Sequence, residues 1–152
     1  MWASADWKGP HPGYIGGLLT EQPVLIRDET VVAYVTNIRC FPRGFLFCIF
    51  TQQVADDREG GSLPPDVVVE FADGTSWREN LDMVGDVLIR RGSESSGGAG
   101  TALWSVEYWL PVLPPPGATT FRVTVGERSG AREVDAGLIR AAATRAIDLW
   151  SS

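Results

Sequence analysis

The run Phe45-Leu46-Phe47-Cys48-Ile49-Phe50 constrains this chain more than any other segment. Successive side chains of a strand point to opposite faces. Phe45, Phe47 and Ile49 then make one face and Leu46, Cys48 and Phe50 the other, and both are apolar. A strand with one wet face alternates apolar with polar residues instead. Leaving three large side chains in water forfeits ~1.5–3 kcal/mol each, about 5–9 kcal/mol per face. The strand therefore needs two covers. An opposing sheet supplies one; the C-terminal helix, the N-terminal segment or another chain supplies the other. Phe45, Phe47 and Ile49 are the residues we assign to contact with a protein partner or a second copy.

The rest of the sequence reads as short β-rich runs broken by turn signals. Residues 1–23, with Gly9-Pro10, Pro12-Gly13 and Gly16-Gly17, form an irregular arm with Trp2, Trp7 and Tyr14 as anchors. A single domain follows over residues 24–152. Strands are expected at Val24–Arg27, Val31–Phe41, Phe45–Gln52, Val67–Phe71, Thr75–Arg78 and Val87–Arg90. Further strands fall at Ala102–Val112 and around Phe121–Val125. Pro42-Arg43-Gly44 reads as a three-residue loop that places Cys40 opposite Leu46 and Cys48 opposite Ile38. Asp73-Gly74 is a two-residue hairpin signal that sets Trp77 opposite Glu70. Gly92–Gly100 reads as a flexible loop. The period then changes: Asp135 can cap a helix from Ala136 to Asp148, with Ile139, Ala142, Ala143, Ala146 and Trp150 on one face and Leu138 and Leu149 at its edge. Seven or eight such strands and one helix predict a mainly β fold. The expectation is an antiparallel β-sandwich, immunoglobulin-like or jelly-roll-like, with one C-terminal α-helix.

Three stretches carry a resemblance. They are Phe41-Pro42-Arg43-Gly44-Phe45 continuing to Phe47, then Trp109-Leu110-Pro111-Val112-Leu113-Pro114-Pro115-Pro116-Gly117 with Phe121, and the closing Asp135–Trp150 helix. Over residues 24–150 the chain resembles a group of small actinobacterial proteins of unassigned function. The resemblance implies a single domain and brings no catalytic residue with it.

Charge and chemistry narrow the function classes. The net charge of −6, with 12 Arg and the single Lys8 among its 13 basic residues, is no footprint for nucleic acid. No apolar run approaches the ~20 residues of a membrane span. Met1–Lys8 has no charged stretch leading into an apolar one, so a cytoplasmic protein is expected. Cys40 and Cys48 read as buried apolar thiols whose diagonal placement does not suit a disulfide. His11 is the single histidine, and neither cysteine has a base beside it in sequence, so a nucleophilic triad has no support. Arg90-Arg91 before the Gly-rich stretch lacks a phosphate-loop ending. Pro114-Pro115-Pro116 ends a strand and blocks edge pairing.

Two further constellations bear on function. Trp109 and Glu107 point away from the Trp104/Tyr108 face, and Trp77 is expected outward. Trp77, Glu107 and Trp109 are therefore the candidates for a small ligand or a sugar ring. Asp56, Asp57 and Glu59, and again Glu79, Asp82 and Asp86, are acid clusters that a hydrolase could use, though neither has calcium-loop spacing. The sequence assigns no catalytic residue, metal or cofactor. Its leading expectation is a non-catalytic protein-binding or assembly domain, with a protein partner or a homo-oligomer.

Overall fold

The computed structural model describes residue 10 and residues 12–54, 64–79, 88–98 and 100–150. The sequence-predicted class holds: the protein is mainly β, with antiparallel sheets and one helix near the C-terminus. Two sheets face each other across one core. The larger runs in the order β2 (Gly17–Leu19), β4 (Val31–Phe41), β5 (Gly44–Val54), β9 (Thr101–Leu110) and β8 (Ile89–Gly98), with β3 (Val24–Arg27) also paired to β4. The smaller runs β11 (Arg128–Asp135), β10 (Ala118–Val125), β6 (Asp66–Glu70) and β7 (Ser76–Arg78). A two-stranded ribbon joins β1 (Tyr14–Ile15) to β12 (Ile147–Asp148). The arm expected to be irregular thus contributes β1 and β2 to the fold.

The core forms where alternation points apolar residues of both sheets inward. Phe45 and Phe47 of β5 meet Phe121 of β10 edge-on, with ring centroids 6.3 and 5.2 Å away, and Phe47 stacks on Tyr108 at 5.5 Å. Such ring pairs add about 0.5–1.5 kcal/mol beyond their buried area. Phe45, Phe47 and Ile49 are each 0% exposed. This corrects their assignment to a partner surface: the opposing sheet of the same chain covers them, so no second chain reaches them.

The helix α1 (Ala136–Thr144) turns its Ile139, Ala142 and Ala143 into the same core. Asp135 caps it as expected, its carboxylate accepting from the Gly137 amide at 2.8 Å. The helix is shorter than the sequence pattern suggests. Arg145 closes it by donating its amide to Ala142, and the chain then extends as β12 against β1. Trp150, expected on the buried helical face, is 66% exposed.

Both hairpin turns differ from expectation by one residue, and a one-residue shift moves side chains to the opposite face. At 71–75 the loop holds three residues: Gly74 donates to the Phe71 carbonyl, Phe71 to Thr75, and Gly74 has φ +91°. This is the turn-plus-left-handed-glycine solution of three-residue hairpins. Glu70 then pairs with Ser76, and Trp77 pairs with Val69. At 42–43 the loop holds two residues, and Phe41 pairs with Gly44 and Cys40 with Phe45. Residues 92–98, expected as loop, continue β8 along β9. The polar strand β11 has no apolar alternation to announce it, since Val134 alone among its residues is buried.

The sandwich is closed on one side by Arg90 of β8, whose guanidinium donates to Glu79 beyond β7 at 2.7 Å. Tyr108 lies beside this pair, its phenol pushed up to about 12 by burial and by the Glu79 charge. Burial likewise pushes the Cys40 thiol up to about 12. No described helix is long and apolar enough to cross a membrane.

Two predictions follow from this packing. A Cβ on Gly17 would sit 1.7 Å from the backbone oxygen of Ala142, whereas one on Gly97 would make an ordinary contact at 3.5 Å. Gly17→Ala should destabilise the protein by at least about 1–3 kcal/mol, with Gly97→Ala near neutral, measured by urea denaturation. Unfolding should also respond to alkali. Above pH 9 the unfolded Cys40 releases its proton while the folded thiol keeps it, and Tyr108 does the same above pH 10. The unfolded state then binds fewer protons, so stability falls as pH rises toward 12. Cys40→Ala and Tyr108→Phe should each make that decline shallower.

Candidate functional site

The face of the larger sheet turned away from the core carries the side chains that the core does not use. Register fixes its rows. Val24, Tyr34, Phe50, Ser105 and Glu94 lie abreast across β3, β4, β5, β9 and β8. Thr36, Cys48, Glu107 and Gly92 form the next row. Leu46, Trp109 and Ile89 form a row nearer the β4–β5 turn.

The row nearest the turn is sealed. Leu46, Phe41 and Trp109 bury one another, with Tyr14 and Ile89 packed against them. The Trp109 ring meets Phe41 edge-on at 6.0 Å and is 5% exposed. Gly44 makes this possible, because a Cβ there would lie 2.7 Å from the Trp109 ring. Leu46 thus receives its cover from its own sheet and from β1, neither from the helix nor from a second chain.

The middle row is ionic. Arg39 donates to Glu107 at 2.9 Å, and Arg91 lies 3.9 Å from the other carboxylate oxygen. Arg39 reaches this face because β4 carries a bulge: Thr36 pairs with Cys48 and Arg39 with Leu46, so two residues of β4 oppose Phe47 alone. Asn37 takes φ +54° there, a conformation asparagine tolerates better than other side chains with a Cβ. The bulge turns Ile38 inward, where it is fully buried, and Arg39 outward. Cys48 lies under the ion pair, its Sγ 3.9 Å from Glu107. Burial and then the Glu107 charge push the Cys48 thiol up, against smaller opposing effects of Asn37 and Arg39. Cys48 is half-buried rather than buried, and Cys40 faces the core. Both thiols are free and occupy opposite faces of the sheet.

The third band is aromatic and half-buried. Tyr34 and Phe50 pair across β4 and β5 with ring centroids 5.2 Å apart, and both are half-exposed. Val32 and Leu103 stand half-exposed beside them with Gln52, and Val24 is 38% exposed. The sequence holds a faint signal for this band in the alternation Val32, Tyr34, Thr36 and in Phe50 at the end of the doubly apolar run. Only the register brings these residues together.

The ligand set expected from sequence does not assemble. Glu107 and Trp109 do share the outer face, but Trp109 is sealed and Glu107 is held by Arg39. Trp77 belongs to the other sheet, on its core side, 6.0 Å from Phe71. Trp77 and Trp109 are therefore corrected as stacking platforms for a ligand. Of the acid clusters, Glu79 is paired with Arg90, while Asp56, Asp57, Glu59, Asp82 and Asp86 lie outside the described residues, as does His11. Among the described residues no group of three His, Cys, Asp or Glu could hold a metal. A cleft of about 280 Å³ lies elsewhere, between residues 21–23, the end of β11 and Leu138 of α1. The chain matches no family model, no curated protein and no solved structure.

The Cys48–Glu107 contact is testable by alkylation. With iodoacetamide at pH 8, folded protein should modify Cys48 slowly and Cys40 not at all. Glu107→Gln removes the nearby negative charge, lowers the Cys48 pKa and should speed that reaction; Arg39→Ala should slow it. Mass spectrometry of timed samples separates the two sites.

Proposed function

We propose that this chain is a non-catalytic protein-binding domain that receives its partner on the outer face of the larger sheet, around Tyr34 and Phe50. The observation that carries the reading is the half-exposed ring pair in the middle of that sheet. Protein interfaces concentrate aromatic side chains at a desolvated centre and leave a polar rim. Here Tyr34, Phe50, Val32 and Leu103 supply the centre; Gln52 and the Arg39–Glu107 pair supply the rim. The net charge of −6 favours a protein over a nucleic acid as the partner. A sugar or small-ligand site loses its support with the burial of Trp109.

The test begins with the immobilised chain and extract from its source cells, followed by calorimetric titration of the purified partner. Phe50→Arg should weaken binding by roughly 30-fold or more, the loss of a hot-spot side chain. Gln52→Arg, exposed on the same face, should also weaken it, and Glu127→Arg in the β10–β11 turn of the other sheet should not. Circular dichroism confirms that each variant is folded. Undiminished affinity in both outer-face variants would overturn the proposal.

A further inference from the structure

A sheet edge presents a row of unpaired peptide groups to any strand that can dock there unless it is short, charged or covered. Three edges of this fold are managed. β2 has three residues and lies against α1, with Gly17 in contact with the Ala142 carbonyl. β7 also has three residues. β11 carries Arg128, Arg132 and Glu133, and its Gly130 abuts the Leu25 carbonyl of β3. The edge at β8 also carries charge, at Arg90, Arg91 and Glu94, but it is neither short nor covered by a described element. It is ten residues long, contains no proline, and among the described residues it pairs with β9 alone. Every side-chain position from Arg90 to Gly97 is exposed.

We propose that this edge pairs with β8 of a second copy, antiparallel, about a two-fold axis at Ser93. The charges of the strand select the register. With Ser93 opposite its counterpart, Glu94 falls opposite Gly92 of the second copy, where a Cβ would find nothing within 4 Å. Arg91 stands beside that gap on the same face. The register shift between Arg90 and Gly92 turns it outward, as its 3.9 Å approach to Glu107 records. Each Glu94 thereby meets an arginine, twice over by symmetry. Centring the axis on Glu94 would set two carboxylates face to face, which disfavours a cross-strand pair. Centring it on Ser95 would set Glu94 opposite Ser96, away from either arginine. The dimer joins the two larger sheets edge to edge and leaves both outer faces open. It is independent of the partner site around Tyr34 and Phe50, and either can fail without the other.

Sedimentation equilibrium of the full chain tests the pairing. Wild type should show twice the 16.5 kDa chain mass. Glu94→Arg and Arg91→Glu should each be monomeric, and their equimolar mixture should give a mixed dimer, because every cross-strand contact then pairs opposite charges. A second measurement reads the register. Directly opposed residues have Cα atoms about 4.5–5.5 Å apart, within the ~4.4–6.8 Å of a disulfide. Ser93→Cys should therefore form a covalent dimer under mild oxidation, and Ser96→Cys should not. A monomeric wild type at millimolar concentration, charge-reversed variants that stay dimeric, or cross-linking at Ser96 as fast as at Ser93 would each overturn the proposal.

Discussion

The interlock of Phe45 and Phe47 with Phe121 is the contact on which the rest of this fold depends. It joins the two sheets through aromatic rings at 5.2 and 6.3 Å, and the remaining elements arrange themselves around it. β6 extends the smaller sheet beside β10, and β9 carries Tyr108 against Phe47. The helix then fills the end of the core with Ile139 and two alanines, small enough for β2 to approach its backbone at Gly17. Deleting a buried ring from such a centre typically costs about 3–5 kcal/mol, a large share of a stability of ~5–15 kcal/mol. One strand apolar on both faces therefore determines both the inside of the sandwich and the character of its outside.

That second consequence is less obvious. Since the inner face of β5 belongs to the core, whatever covers Leu46, Cys48 and Phe50 must come from elsewhere. The fold answers differently along the strand. Near the turn, Phe41 and Trp109 fold over Leu46; in the middle, an ion pair lies over Cys48; at the far end, Tyr34 and Phe50 cover each other only in part. The outer face therefore grades from a sealed cluster to a half-buried aromatic patch within one sheet. The bulge at Asn37 makes the middle of that gradient, because without it Arg39 would not face Glu107.

Alternation is enough to read most of the strands, as at Val31–Phe41 and Ala102–Val112, the latter ending at Leu110 in the fold, because period-2 burial is a local property. The Asp135 cap was legible for the same reason. Register was not. Asp73-Gly74 suits a two-residue turn in isolation, yet packing Trp77 against Phe71 in the core outweighs that preference and a three-residue loop results. The strand expected at Val87–Arg90 marks only the start of β8; its run through residues 92–98 was hidden because a strand exposed on both faces has no apolar period to show. The same limit explains the site. Phe45, Phe47 and Ile49 do need a cover, but sequence alone does not say which of two apolar faces the opposing sheet takes. The rings that remain accessible, Tyr34 and Phe50, sit 16 positions apart and meet only through the hairpin register.

The sandwich is defined by which face of β5 is inside. Hydroxyl-radical footprinting of the folded chain, read by mass spectrometry residue by residue, measures this directly. Oxidation should appear at Tyr34 and Phe50 while Phe45, Phe47 and Trp109 stay unmodified until denaturant unfolds the protein. Labelling of Phe45 and Phe47 in the native state, with Tyr34 and Phe50 protected, would contradict it.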